Sequence, residues 1–331
     1  MSSREWKPGD LLELSAYYWK TCALHAAVKL DVFSKIGSES LPAEELARRV
    51  NGSADGVERL LNALTAMELL TKHSGRFACS ASVRALLSKD SPSYLGHIIL
   101  HHHHLMESWA QLHQSVSSGR PLRERSSVSR EEWRESFLMG MFNMAMALAP
   151  RMADAIDLTS RSRCLDLGGG PGTYAIHFCL KNPALTATVF DLPTTRPFAE
   201  RTIASFRLSD RIAFAEGDYL DDGIPGRYDV AWLSHILHAE GPDDCLKIVR
   251  KAVAALQPGG MVIIHEFILD DAMDGPLFPA LFSLNMLQGT EAGRAYSERQ
   301  LTDMLTAAGV HDIRRIPIQT PNDSGILAGT I

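Results

Sequence analysis

Long apolar runs are missing from this sequence. Nothing approaches the roughly 18 residues of a membrane-spanning helix, although 45% of the 331 residues are hydrophobic. The opening Met1-Ser2-Ser3-Arg4-Glu5-Trp6-Lys7 lacks the apolar core of a secretory signal, so a cytoplasmic (cytosolic) protein is expected. Cysteine is scarce: Cys22, Cys79, Cys164, Cys179 and Cys245 are scattered, odd in number and without metal-ligand spacing. A disulfide scaffold and a cysteine metal site are thereby excluded. Positive charge is also in short supply, with 33 Lys and Arg against 39 Asp and Glu, a net charge of −6. No global basic field draws the chain to nucleic acid or to an anionic membrane. What is left is a chain of ordinary globular composition, long enough for one large or two moderate domains.

Glycine, by contrast, is concentrated where it matters. Arg163 to Leu167 reads as a buried strand that breaks into Gly168-Gly169-Gly170-Pro171-Gly172 and resumes as an apolar helix from Tyr174 to Leu180. Such a corner lets backbone approach a ligand and offers the unpaired N–H groups of a helix N-terminus. A dinucleotide fingerprint is disfavoured because Thr173 stands where its third small residue belongs, and no Lys-Ser/Thr pair completes a P-loop. The remaining pattern, Asp166-x-Gly168-x-Gly170-x-Gly172, resembles motif I of S-adenosylmethionine-dependent methyltransferases. Asp191 ends the next apolar run, Ala187 to Phe190, where an acceptor for ribose hydroxyls belongs.

Ahead of this corner the chain is helical. Periodic apolar residues run through 9–37, Pro42 suits a first helical turn, and Ser53 is placed to cap a helix from Val57 to Leu70. Lys72 to Phe77 then reads as a hairpin, and three helices followed by a hairpin describe a winged helix. Its third helix offers only Arg59 as a basic residue, opposed by Asp55 and Glu58, so packing or dimerisation is favoured over DNA reading. His97 and His101 to His104 invite a metal reading, but Glu107 is the only nearby acidic partner, and a helix face is favoured. Phe137 to Met146 is rich in methionine, which packs against flat ligands and ordinary cores alike.

After Pro150 strands and helices alternate, with strands at 163–167, 187–191, 212–215, 228–233 and 261–267 and a late pair at 313–318 and 326–328. The expected fold is α/β, one Rossmann-like doubly wound sheet preceded by the winged-helix-like domain. Pro258-Gly259-Gly260 is expected to stop a helix and turn into the fifth strand. Gly217-Asp218-Tyr219 follows the third strand, and Ser234-His235-Ile236-Leu237-His238 follows the fourth. Both therefore reach the carboxyl edge where ligands of open parallel sheets lie. Asp218 is suited to accept from an adenine amino group, and a neutral histidine at that edge is a natural general base. Spacing alone does not choose between His235 and His238.

His238-Ala239-Glu240-Gly241-Pro242-Asp243-Asp244-Cys245-Leu246-Lys247, followed by Leu256-Gln257-Pro258-Gly259-Gly260, resembles the hydroxyindole/caffeate-type O-methyltransferase family. The resemblance covers nearly the whole chain; Leu105 to Trp109 and the Asn143 helix also look like that family's interdomain helices. It implies a dimerisation domain over 1–115, a methyltransferase domain over 116–331 that opens with a helical interdomain segment 116–160, a homodimer, and S-adenosyl-L-methionine as methyl donor. It implies that the base falls on His238 and cofactor positions on Asp166, Gly168, Gly170, Asp191, Leu192, Gly217, Asp218, Tyr219 and Ser234. Leu105, Phe137, Met141, Met144, His235 and Met286 fall on the acceptor pocket, and no metal is required. The carboxylates that orient the base in plant members correspond to residues near Ser283 and Ala328, so this chain is expected to lack them; Glu266 or Glu240 is the substitute. Methyl transfer to a hydroxyl of a small aromatic or heteroaromatic acceptor leads. C-methylation or a non-methylating reaction on the same fold is second, and a ligand-sensing winged-helix regulator third.

Overall fold

The computed structural model describes residues 5–127 and 130–331. These fall into two compact units, one ending at Leu105 and one spanning Met106–Ile331.

The first unit is helical: α1 (Pro8–Ala16), α2 (Tyr18–Lys29), α3 (Val32–Ile36), α4 (Ala43–Arg49), α5 (Ala54–Ala66), α6 (Ala81–Leu87) and most of α7 (Gly96–Ala110). A small sheet joins β1 (Ser40–Pro42), β2 (Thr71–His73) and β3 (Arg76–Ala78) in the order β1-β3-β2. The Ser53 hydroxyl accepts the Gly56 N–H at 3.0 Å and starts α5, whose Val57, Leu61 and Leu64 turn inward. Between β2 and β3, Ser74 and Gly75 both take positive φ, which matches the twist of a tight hairpin. Helix and wing thus form as expected. Among the described residues, one apolar stretch lies uncovered: α1 buries nothing, and Leu12 and Trp19 are 71% and 67% exposed.

In the histidine run, His101 is buried, His97 lies edge-on to Tyr94 at 5.3 Å, and His103 lies edge-on to His25 at 5.6 Å. Among the described residues, these histidines form no metal-binding group.

The second unit opens with α8 (Leu112–Ser118) and the long α9 (Glu131–Ala155), and then alternates. Its elements are β4 (Arg163–Leu167), α10 (Thr173–Lys181), β5 (Thr186–Asp191), α11 (Arg196–Ser205), β6 (Ile212–Glu216), β7 (Tyr228–Ser234), α12 (Pro242–Ala254), β8 (Leu256–Leu269), α13 (Leu277–Gly289), β9 (Tyr296–Ser297), α14 (Glu298–Ala307), β10 (His311–Ile316) and β11 (Ser324–Thr330). The sheet order is β10-β11-β8-β7-β4-β5-β6, with β9 beside β8. Strands β4 to β8 are parallel, and β11 returns antiparallel to β8. Starting at β4, the parallel strands run 3-2-1-4-5, the doubly wound order whose switch point lies between β4 and β7.

Both faces of the sheet are covered, which is why its strands read as continuous apolar runs. On β4 and β7, Cys164 and Trp232 point to the core shared with Met152 and Phe178, while Leu165 and Leu233 point to the core shared with Ile248 and Leu301. Helix α12 presents Cys245, Ile248, Val249 and Ala252 to that second core at helical spacing.

One local expectation is corrected. Pro258-Gly259-Gly260 is no turn before a strand; it lies inside β8, where the register to β7 slips between Tyr228 and Val230. Gly259 takes φ +76 and donates its N–H to Ile331 at 3.0 Å, so the glycines build a bulge that keeps the ladder paired. Among the described residues, no helix is long and apolar enough to cross a membrane.

Candidate functional site

Strand register assembles the site. Leu167 stands opposite Phe190 and Leu233, and Ser234 stands opposite His265. Gly168, Asp191, Ser234 and Glu266 therefore come to one carboxyl edge.

The glycine turn follows β4 directly. Gly168 and Gly170 have φ +65 and +54, a region that L side chains rarely adopt. A Cβ on Gly168 would lie 2.5 Å from Ile236 Cγ2, and one on Gly169 would lie 2.5 Å from the Asp166 carboxyl carbon. At Gly170 a Cβ would meet nothing within 4 Å, so that glycine faces open space. Asp166 is buried beneath the turn; its Oδ2 accepts the Ala175 N–H at 3.2 Å, and its Oδ1 has no partner. Burial pushes the Asp166 carboxyl up to about 7.

Asp191 accepts the Gly170 N–H at 2.7 Å on Oδ2, and the Leu192 N–H at 2.7 Å and Thr195 hydroxyl at 3.0 Å on Oδ1. One acceptor site remains on Oδ2. Gly217 must be small because a Cβ would lie 2.4 Å from the Phe190 ring. Asp218 accepts the Leu220 N–H at 2.7 Å and lies half-buried beside Tyr219, whose hydroxyl donates to Glu240 at 3.1 Å. The residues expected on cofactor positions thus lie at the carboxyl ends of β4, β5, β6 and β7.

Across the edge lie the histidines. His238 Nδ1 is 2.8 Å from Glu266 Oε2, while Glu266 Oε1 accepts the N–H groups of Leu237 and His238 at 2.9 and 3.3 Å. Burial alone would raise the Glu266 carboxyl, but the two histidines hold it well below the usual carboxylate range. His235 Nδ1 is 3.5 Å from the same Oε2, and burial lowers the basicity of that ring. The two positions that carry the orienting carboxylates in plant members hold no acid here, and of the two substitutes expected from sequence it is Glu266 that meets His238. Ser283 Oγ accepts the Ala295 N–H at 3.4 Å and Ala328 is buried in β11, whereas the acid beside the histidine is Glu266, on β8.

Of the two substitutes named from sequence, Glu240 is occupied elsewhere, by Arg125 at 2.5 and 2.8 Å and by Tyr219. Arg125 escaped the sequence reading because an isolated arginine ahead of a helix carries no spacing signal. His235, His238 and Glu266 form a group whose ligand atoms lie within 4.8 Å of one another. Geometrically they could share a cation, but the Oε2 such an ion would need is already hydrogen-bonded to His238.

Phe137, Met141 and Met144 lie half-buried along one face of α9, and Met286 is buried in α13. Leu105 closes the first unit and is buried. Beside the histidines, Phe282 sits edge-on to His238 at 4.7 Å and Phe267 lies 4.6 Å from Phe282. A cavity of about 700 Å³ elsewhere is lined by Asp271, Glu298, Arg299 and Arg315, whose charges pair with one another.

An adenosyl group needs open backbone at the first strand and an acid with acceptor capacity at the second. Gly170 and Asp191 meet both needs, and the sheet has the strand order that S-adenosylmethionine-dependent methyltransferases use. This is a methyltransferase of that class, with S-adenosyl-L-methionine as its cofactor. More particularly, the chain belongs to the O-methyltransferase family. The family's O-methyltransferase domain matches residues 104–311, and its dimerisation domain matches residues 12–89. The chain is 32% identical to 3-hydroxy-5-methyl-1-naphthoate 3-O-methyltransferase of Streptomyces sahachiroi, over 97% of this chain and 95% of that protein. It is 28% identical to L-tyrosine C(3)-methyltransferase of Streptomyces lavendulae, over 93% and 88%. Human N-acetylserotonin methyltransferase, solved in complex with S-adenosylmethionine, superimposes with a TM-score of 0.86 at 25% identity, covering 100% of this chain and 99% of that one. The protein transfers methyl groups from S-adenosylmethionine to small-molecule acceptors.

Proposed function

We propose that the acceptor is a hydroxyl of a small aromatic or heteroaromatic molecule and that His238 is the general base. The observation that carries this reading is the 2.8 Å hydrogen bond from His238 Nδ1 to Glu266. It fixes the imidazole with its proton on Nδ1, leaving a lone pair on Nε2 for the acceptor hydroxyl. A phenol has a pKa of about 10, so a positioned neutral histidine suffices to generate the nucleophile. S-adenosylmethionine supplies the electrophilic methyl group on its sulfonium when bound.

The chain's own work is alignment and proton removal. Gly168 and Gly170 admit the cofactor backbone-close, Asp191 accepts from its ribose, and Asp218 from its adenine; Leu192, Gly217, Tyr219 and Ser234 line the same edge. Asp166 holds the turn. Phe137, Met141, Met144, His235 and Met286 wall the acceptor, and the two units correspond to a dimerisation domain and a catalytic domain. Phe267 and Phe282, packed against each other and around His238, suit a flat acceptor. The exposed apolar face of α1 and α2 supports a homodimer formed through the first unit.

Incubation with methyl-labelled S-adenosylmethionine and a panel of phenols, hydroxyindoles and hydroxybenzimidazoles tests the reading. An O-methyl product is expected; a C-methyl product, or cofactor binding with no transfer to any hydroxyl, contradicts it.

A further inference from the structure

One carboxylate serves two imidazoles in this site. Glu266 Oε2 lies 2.8 Å from His238 Nδ1 and 3.5 Å from His235 Nδ1. Two aromatic rings pack against His235 and restrict its movement: the centroids of His265 and Phe267 each lie 4.3 Å from its own. Its backbone is held as well: the His235 N–H donates to His265 O at 2.8 Å, with φ at +55, a region that favours glycine or asparagine. A side chain kept in that backbone state, packed against two rings, is a defined feature of the site.

The carboxylate also decides the tautomer. A bare Nδ1 facing an ionised oxygen would oppose two lone pairs, so the single proton of neutral His235 belongs on Nδ1, as it does in His238. Each ring therefore keeps an unprotonated Nε2. The buried nitrogen of His235 is Nδ1, which faces Glu266 Oε2 at 3.5 Å, and among the described residues Nε2 of neither ring has a hydrogen-bond partner. The two rings are 5.9 Å apart between centroids. The site thus presents two hydrogen-bond acceptors beside the Phe267 and Phe282 rings, where one base needs only one.

We propose that His235 Nε2 is a specificity-determining atom, and that the acceptor is an aromatic carrying two neighbouring hydrogen-bond donors. The hydroxyl to be methylated lies on His238, and a second O–H or N–H on the ring or its substituent donates to His235. This rests on the reading of His238 as base and extends it to the acceptor's substitution pattern. An acceptor lacking the second donor leaves Nε2 of His235 desolvated and unpaired, which penalises it.

Calorimetric titration of the full chain, saturated with S-adenosylhomocysteine, against catechol and phenol pairs of equal size tests the inference. Binding is read in a dead-end complex, so the result stands whether or not a methyl group is transferred. Absence of transfer to any hydroxyl would overturn the proposed function alone. The wild-type chain is expected to bind the dihydroxy member at least about tenfold more tightly. In His235→Phe, and in His235→Asn, which tolerates the backbone angle, the ratio of affinities is expected to fall to within about twofold of one. His235→Gln returns a carbonyl oxygen near the place of Nε2 and is expected to restore part of the ratio. No preference in the wild type, or an unchanged ratio in either of the first two variants, overturns the inference.

Discussion

At the residue scale the account turns on how Glu266 divides its two oxygens. Oε1 accepts two backbone N–H groups, of Leu237 and His238, while Oε2 takes the imidazole and the one N–H of Phe267 at 3.3 Å. In Glu266→Gln the amide oxygen is favoured on the side of the two N–H groups, which sets the NH₂ against His238 Nδ1. That forces the proton to Nε2 and removes the base without removing the histidine. Steady-state kinetics of Glu266→Gln should show kcat down by about 10²- to 10⁴-fold with cofactor affinity little changed; a loss below about threefold would contradict it. A histidine at this edge was legible from sequence because it follows a strand end, but only the family resemblance favoured His238 over His235. The partner of His238 was not legible, because which of two acids meets it depends on how β8 registers beside β7.

Asp166 gives a pH dependence. Its carboxyl is raised by burial to about 7, so below that pH it carries a proton. In the unfolded chain it ionises near 3.9, so this shift costs stability as pH rises from about 4 to 7 and nothing further above. A cationic cofactor beside the turn favours the ionised form. Cofactor affinity is thus expected to strengthen as pH rises through about 7, and Asp166→Asn should flatten that dependence. Titrations between pH 6 and 8 decide it; a flat wild-type profile would contradict a charged role for Asp166.

At the element scale the glycine turn shows what sequence can deliver. The pattern from Asp166 to Gly172 announced a ligand corner because each glycine answers a steric demand, a positive φ or a close approach. Gly168 answers both. Gly168→Ala combines φ +65 with a Cβ 2.5 Å from Ile236, and should cost about 1–3 kcal/mol of stability. Thermal melts with and without S-adenosylmethionine should show both the lower midpoint and a smaller stabilisation by the cofactor. An unchanged midpoint would contradict the steric account. The same glycine logic misled at Pro258–Gly260, because a bulge within a strand and a turn before one share their composition. The methionines of α9 stayed ambiguous for a related reason: half-buried apolar residues at helical spacing serve a core and a pocket equally.

For the whole molecule, the change from a helical to an alternating strand–helix pattern after Pro150 was readable, whereas the division between the two units falls earlier, at Leu105. Assembly was readable only through the family, since an exposed apolar face does not name its partner. Leu12 and Trp19, 71% and 67% exposed on the first two helices, are where a partner chain would bury the most apolar area. Analytical ultracentrifugation should find a wild-type dimer that Trp19→Glu weakens or dissociates. A wild-type monomer would contradict the proposed assembly.

The central claim, that His238 removes the acceptor's proton, is tested most directly by varying the proton it must remove. Compared on phenols of graded pKa at pH 7.5, His238→Ala should lose about 10²- to 10⁴-fold in kcat on acceptors near pKa 10. The loss should shrink toward nothing on acceptors already ionised at that pH. An equal loss across the whole series would contradict the account, because it would make His238 a structural side chain and leave the base to another residue.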